Sequence, residues 1–168
     1  FFEVTKKLHN ALHGRPETIN QRDFDIFMET SEKNIEEINI SGNIVFIHDP
    51  QPIALIKKKS DNKWVWRCHI DVSNPNPKAW NFLKDFIIAY DSAVFSAPSF
   101  SQRLPIRQFL ISPSIDPLSD KNKELPQETI DAVLTKYGVK KDKPIITQIS
   151  RFDRLKDPVG VIEAYIEV

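Results

Sequence analysis

The chain has 168 residues, with 23 basic and 23 acidic side chains, so its formal charge at neutral pH is zero. Hydrophobic residues at 40% and charged residues at 27% give a globular composition, and the length suffices to bury a core. Neutral charge argues against a nucleic-acid binder, a lone cysteine excludes an intrachain disulfide or zinc cluster, and no apolar run reaches membrane-span length.

Phe1 to His13 set Phe1, Val4, Leu8, Ala11 and Leu12 at helical spacing, with Gly14 as the stop. Phe24, Phe27, Met28, Ile35 and Ile38 among acids predict one or two helices over 21–39. The short apolar run Asn43–Ile47 reads as a strand buried on both faces, as in a parallel sheet, and leads into His48-Asp49-Pro50-Gln51-Pro52. Lys57-Lys58-Lys59 reads as a solvated turn. A second strand, Trp64–Cys68, leads into His69-Ile70-Asp71. Cys68, inside the apolar run Trp64–Ile70, reads as a small buried hydrophobe rather than a nucleophile.

Asn76 caps and Pro77 starts a helix that carries Trp80, Leu83, Ile87 and Tyr90 on one face. Short strands are predicted at 93–96 and 108–111, followed by the rigid loop Pro113–Pro117 and the charged stretch Asp120–Glu124. A helix with Ile130, Val133, Leu134 and Tyr137 stops at Gly138, and Pro144–Ile149 reads as another buried strand. Asp157 and Pro158 open a last helix. The alternation predicts an α/β fold with a parallel, doubly wound sheet, whose ligand loops lie beyond the strand ends at 48–52, 69–74, 112–117 and 150–157.

In the run from Ile149 to Pro158, Arg151 leaves a strand end and Lys156 stands beside a helix N-terminus. Such a place suits phosphate, because helix-end amides and an Arg fork favour anions; a solvated basic loop has the same spacing. His48-Asp49 and His69-Ile70-Asp71 follow two strands of one sheet, so two imidazoles and two carboxylates share an edge suited to sugar hydroxyls or proton transfer. Structural tethering of each His to its own loop is the alternative. No tight ligand spacing points to a metal.

Five ordered segments carry a resemblance: Phe1–Leu12, His48–Pro52, Trp66–Asp71, Pro113–Leu118 and Gln148–Lys156. They resemble the trehalose-forming synthases and phosphorylases of retaining glycosyltransferase family 4, over almost the whole chain. The resemblance implies the GT-B fold, two Rossmann-like domains facing across a cleft. Residues 1–112 would be the later part of the acceptor-side domain, 113–124 the hinge, and 125–168 the start of the nucleotide-sugar donor domain. Arg151 and Lys156 match the pair that grips the donor's phosphates, and His69 matches the catalytic His beside the transferred sugar. His48, Asp49 and Gln51 match a loop on the acceptor side, with Asp71 as a further sugar-binding candidate. Ser150 departs from the glycine usual before the Arg, as the trehalose branch does.

The resemblance implies transfer of glucose from ADP- or UDP-glucose to glucose, giving trehalose with retention. It implies no cofactor; a divalent cation is compatible but no site calls for one. A phosphorylase using phosphate and glucose 1-phosphate is the second reading, and a non-catalytic sugar- or anion-binding piece the third. Because the chain opens and closes within helical patterns, and lacks the family's glycine-containing loop and downstream carboxylate motif, a piece of a longer enzyme is expected, inactive by itself. A single cysteine and the lack of a signal-peptide pattern suit the cytoplasm, with a homo-oligomer possible and neither nucleic acid nor membrane as partner.

Overall fold

The structure, a computed structural model, describes residues 1–167 and divides into two compact units, Phe1–Ser114 and a second that begins at Ile115. In the first unit the order is α1 (Phe2–Leu12), α2 (Gln21–Glu37), β1 (Ile44–His48), a 3-10 turn (Ile53–Lys58), β2 (Lys63–Arg67) and α3 (Pro77–Ile87). Then come β3 (Ser92–Phe95), a short 3-10 turn (Pro98–Phe100) and β4 (Arg107–Leu110). The strands form one sheet in the order β1-β2-β3-β4, every neighbour parallel.

Local chemistry explains the helices. Asn20 and Asp23 close a reciprocal cap on α2: Asp23 N–H donates to Asn20 Oδ1 at 3.1 Å, and Asn20 N–H to Asp23 Oδ2 at 2.9 Å. That cap starts one continuous helix where one or two were expected. Asn76 Oδ1 accepts the amides of Lys78 and Ala79 at 3.0 and 3.2 Å, and Pro77 fills the first helical position of α3. Both helices turn an apolar stripe inward, and Phe24 of α2 stacks on Phe82 of α3 at 4.1 Å.

Strand alternation sorts the sheet into two faces. Val45, Ile47, Trp64, Trp66, Ala93 and Phe95 are buried against Leu8, Leu12, Phe27, Ile53, Leu83 and Ile87 from the helical layer. On the opposite face Ile44 and Phe46 remain 59% and 56% exposed. The expected parallel sheet with flanking helices is present, but among the described residues the expected double winding is not. Strand order rises in a single direction, and right-handed crossovers then gather the connecting elements on one face. The lysine run also departs from a solvated turn. It closes the first 3-10 turn, where Lys58 Nζ donates to Ile35 O at 2.6 Å and Lys59 pairs with Asp91 at 3.0 Å.

The second unit contains α4 (Gln127–Lys136) and α5 (Pro158–Ile166), and none of its described residues is buried. The strand expected at 144–149 is absent there. Its apolar sequence suits a buried strand, but a strand is completed only by hydrogen bonds to a neighbour, and no described residue supplies one.

Candidate functional site

The carboxyl edge of the first unit's sheet is organised by one aspartate. His48 ends β1 opposite Arg67, which ends β2. Asp49 then leaves the strand with a left-handed φ of 64°, a conformation that Asp tolerates better than most residues. The turn lets Asp49 bond three ways to the neighbouring strand. Its N–H donates to Arg67 O at 2.9 Å, its carbonyl accepts from Trp66 Nε1 at 3.0 Å, and its Oδ1 accepts from His69 N–H at 3.0 Å. The two loops are thereby fastened together.

That fastening brings the two histidines into contact. His48 Nδ1 and His69 Nε2 share a hydrogen bond of 2.8 Å, with near-parallel rings whose centroids lie 5.1 Å apart. Both imidazoles line a groove of about 470 Å³ on the open face of the sheet, within the size range of small-molecule sites. Phe46, Val94 and Ile111 give it apolar surface, while Ser112, Pro113 and Ser114 complete the lining.

Arg67 lines the same groove and was not singled out by the sequence reading. It is only 8% exposed, its Nη2 donates to Ser96 Oγ at 3.2 Å, and its buried Nη1 has no partner among the described residues. One signal was legible: a permanently charged side chain inside the apolar run Trp64–Ile70 is out of place unless something pairs with it. Asp49, Gln51 and Asp71 are not among the groove-lining residues. Asp71 Oδ1 instead accepts Ser73 N–H at 2.8 Å, closing a local turn. Half-buried His13, after α1, lies within the field of Asp71 and Asp49. Burial lowers its pKa, and the two carboxylates partly oppose that shift. Cys68 is buried, with its Sγ 3.4 Å from Ile70 O, and desolvation pushes its pKa up to about 12. It is a thiol at neutral pH, not a nucleophile. Among the described residues no three His, Cys, Asp or Glu side chains gather as a metal site.

In the second unit, Arg151 and Lys156 share the segment before α5. Arg151 Nε pairs with Asp153 Oδ2 at 3.3 Å, with the Arg side chain 79% exposed, and Asp153 Oδ1 accepts the Lys156 backbone N–H at 3.2 Å. Asp157 caps α5 through the Gly160 N–H at 3.2 Å. Two basic side chains therefore precede a helix N-terminus, with Asp153 in the place an anion would contest. No described helix is long and apolar enough to cross a membrane.

A parallel sheet with polar loops and an open groove at its carboxyl edge defines a Rossmann-like α/β protein, the architecture in which ligands bind beyond the strand ends. The particular family follows from likeness to known proteins: the family described as "Trehalose synthase, N-terminal domain" matches residues 1–102, and the chain belongs to that family. It is 43% identical to the trehalose synthase of Pyrococcus horikoshii, with all of this chain and 42% of that protein covered. It is 40% identical to that of Thermococcus litoralis, again over the whole chain and 42% of the relative. The trehalose synthase of Rubrobacter xylanophilus is 39% identical over 98% of this chain and 42% of its own length. The chain thus spans about two fifths of these curated relatives.

Proposed function

We propose that this chain supplies the acceptor side of a glycosyltransferase that moves glucose from ADP- or UDP-glucose to free glucose, forming trehalose with retention. One observation carries the reading. In a chain of the trehalose synthase family, two strand-end histidines meet in an open groove on the sheet's carboxyl edge. In this proposal His69 hydrogen-bonds the transferred sugar, where charge develops, and preorganised donors there act without reorganisation. His48 and the remaining oxygen of Asp49 face acceptor hydroxyls, with Gln51 and Asp71 at the rim. Arg151 and Lys156 neutralise the leaving diphosphate, Arg151 exchanging its partner Asp153 for a donor oxygen. Residues 113–124 serve as the hinge, a place supported by the division of the chain after Ser114.

The test is an assay of the protein that carries this chain, with each nucleotide-glucose plus glucose, and the product's anomeric configuration read by NMR. Trehalose is expected; none from either donor overturns the proposal. His69→Ala is expected to lower kcat more than it raises the acceptor KM, and a Gln51 variant to do the reverse. Arg151→Ala removes a charge-assisted contact of roughly 1.5–3 kcal/mol, weakening donor use about tenfold to a hundredfold. The 168-residue chain alone is expected to be inactive, since transfer needs groups held from both cleft walls.

A further inference from the structure

Arg67 is a cation in a groove wall with no ion-pair partner among the described residues. The residue is 8% exposed, Nη2 has only Ser96 Oγ at 3.2 Å, and Nη1 is buried without an acceptor among the described residues. No described carboxylate forms an ion pair with it. A buried charge without a partner is strongly unfavourable, and Arg cannot shed its proton to escape. Packing does not demand it either. Register sets Arg67 between His48 and Val94, on the sheet face away from the apolar core, where an aliphatic side chain would cover the strand without charge.

We propose that this groove binds a phosphate group, with Arg67 as its charged anchor and Ser112, Ser114 and whichever of His48 and His69 presents its outer N–H as neighbouring donors. The inference rests on the groove being the acceptor site and adds a ligand class to it, a phosphorylated hexose or inorganic phosphate beside neutral glucose. Phosphate fits better than a carboxylate because the lining offers a guanidinium, two hydroxyls and an imidazole N–H as donors, more than the two oxygens of a carboxylate can take up together. The guanidinium fork matches two of those oxygens. Nη1 is sealed from solvent in the resting groove, so the anion meets it after a rotation of the guanidinium about its terminal torsions.

Calorimetry on the full chain, with Arg151→Ala and Lys156→Ala removing the other candidate phosphate site, tests this with sodium phosphate, glucose 6-phosphate and glucose. Both phosphate ligands are expected to bind, and Arg67→Gln to weaken both about tenfold or more, with Arg67→Lys between and glucose affected far less. Tighter binding of glucose 6-phosphate identifies the sugar phosphate as the ligand; equal binding identifies the free anion. Glucose binding without phosphate binding overturns this inference alone, as does an Arg67→Gln variant that binds phosphate normally. Failure of glucose to bind overturns the acceptor assignment as well. Should Arg67→Gln not fold, the guanidinium Nε–H resonance of Arg67 in otherwise intact protein decides: phosphate must shift it, and an unmoved signal ends the proposal.

Discussion

The two units contain similar apolar sequence but treat it differently. In Phe1–Ser114 the runs Ile44–His48 and Lys63–Arg67 find each other as parallel strands, and a helical layer closes over one side. In residues 115–167 the comparable run 144–149 pairs with nothing described, and Ile146 and Ile149 stay 69% and 93% exposed. Helices survive in both because their hydrogen bonds and caps are local, as Asp157 on Gly160 illustrates. Strands do not, because their hydrogen bonds must come from elsewhere in the chain. Hydrophobic composition alone therefore does not make a fold. Partners for the backbone do.

Amide exchange should break or sharpen this contrast most strongly. The amides of Trp64 and Trp66 in β2 are expected to open only with global unfolding, on the order of 5–15 kcal/mol, and those of 145–149 to exchange almost freely. Strong protection at 145–149 in the isolated chain would break the comparison. Next in size, Trp66→Ala removes a fully buried indole and its bond to Asp49, and should destabilise the first unit by about 3–5 kcal/mol in urea titrations. Ile146→Ala should stay within about 0.5 kcal/mol; equal losses would show that the second unit has a core.

A smaller effect compares one carboxylate from each unit. The Trp64 backbone N–H at 2.7 Å, with Lys59 and Lys63, holds the Asp91 pKa near 2 against an ordinary 3.8. Its folded pKa is depressed, so its contribution is present above the unfolded value and is lost as pH falls from 3.8 toward 2. With Asp91 28% exposed, about 1–2 kcal/mol is expected, absent in Asp91→Asn and read as the difference between acid-unfolding curves. Asp131 of the second unit is also held low, chiefly by Lys141, but both side chains of that pair are about half exposed and its removal should leave the curve unchanged.

What the sequence disclosed follows the same line. The strands of the first unit were readable from their apolar runs and fell within one residue of expectation, and Asn76-Pro77 announced α3. The turn Ile53–Lys58 was not readable, since four apolar residues after Pro52 look the same whether or not they turn. The single direction of winding was hidden as well, because alternation reveals parallel pairing but not strand order. At the edge, the pairing of His48 with His69 could be anticipated from two equivalent strand ends. The triple tether of Asp49 could not, as it depends on a backbone angle that nothing in His48–Pro52 demands.

The hydrogen bond between His48 and His69 has a consequence for whatever touches them. When both rings are neutral, only one of the two facing nitrogens can hold the shared proton. If His48 Nδ1 holds it, His48 Nε2 is an acceptor and His69 Nδ1 a donor; if His69 Nε2 holds it, those outer roles exchange. The outer nitrogens thus always form a complementary couple, one giving and one receiving, and neither can change alone. A hydroxyl that requires an acceptor at one ring sets a donor at the other. With hydroxyls at both outer nitrogens, such a pair would be a two-position relay, the orientation of one hydroxyl setting that of the other across two aromatic rings.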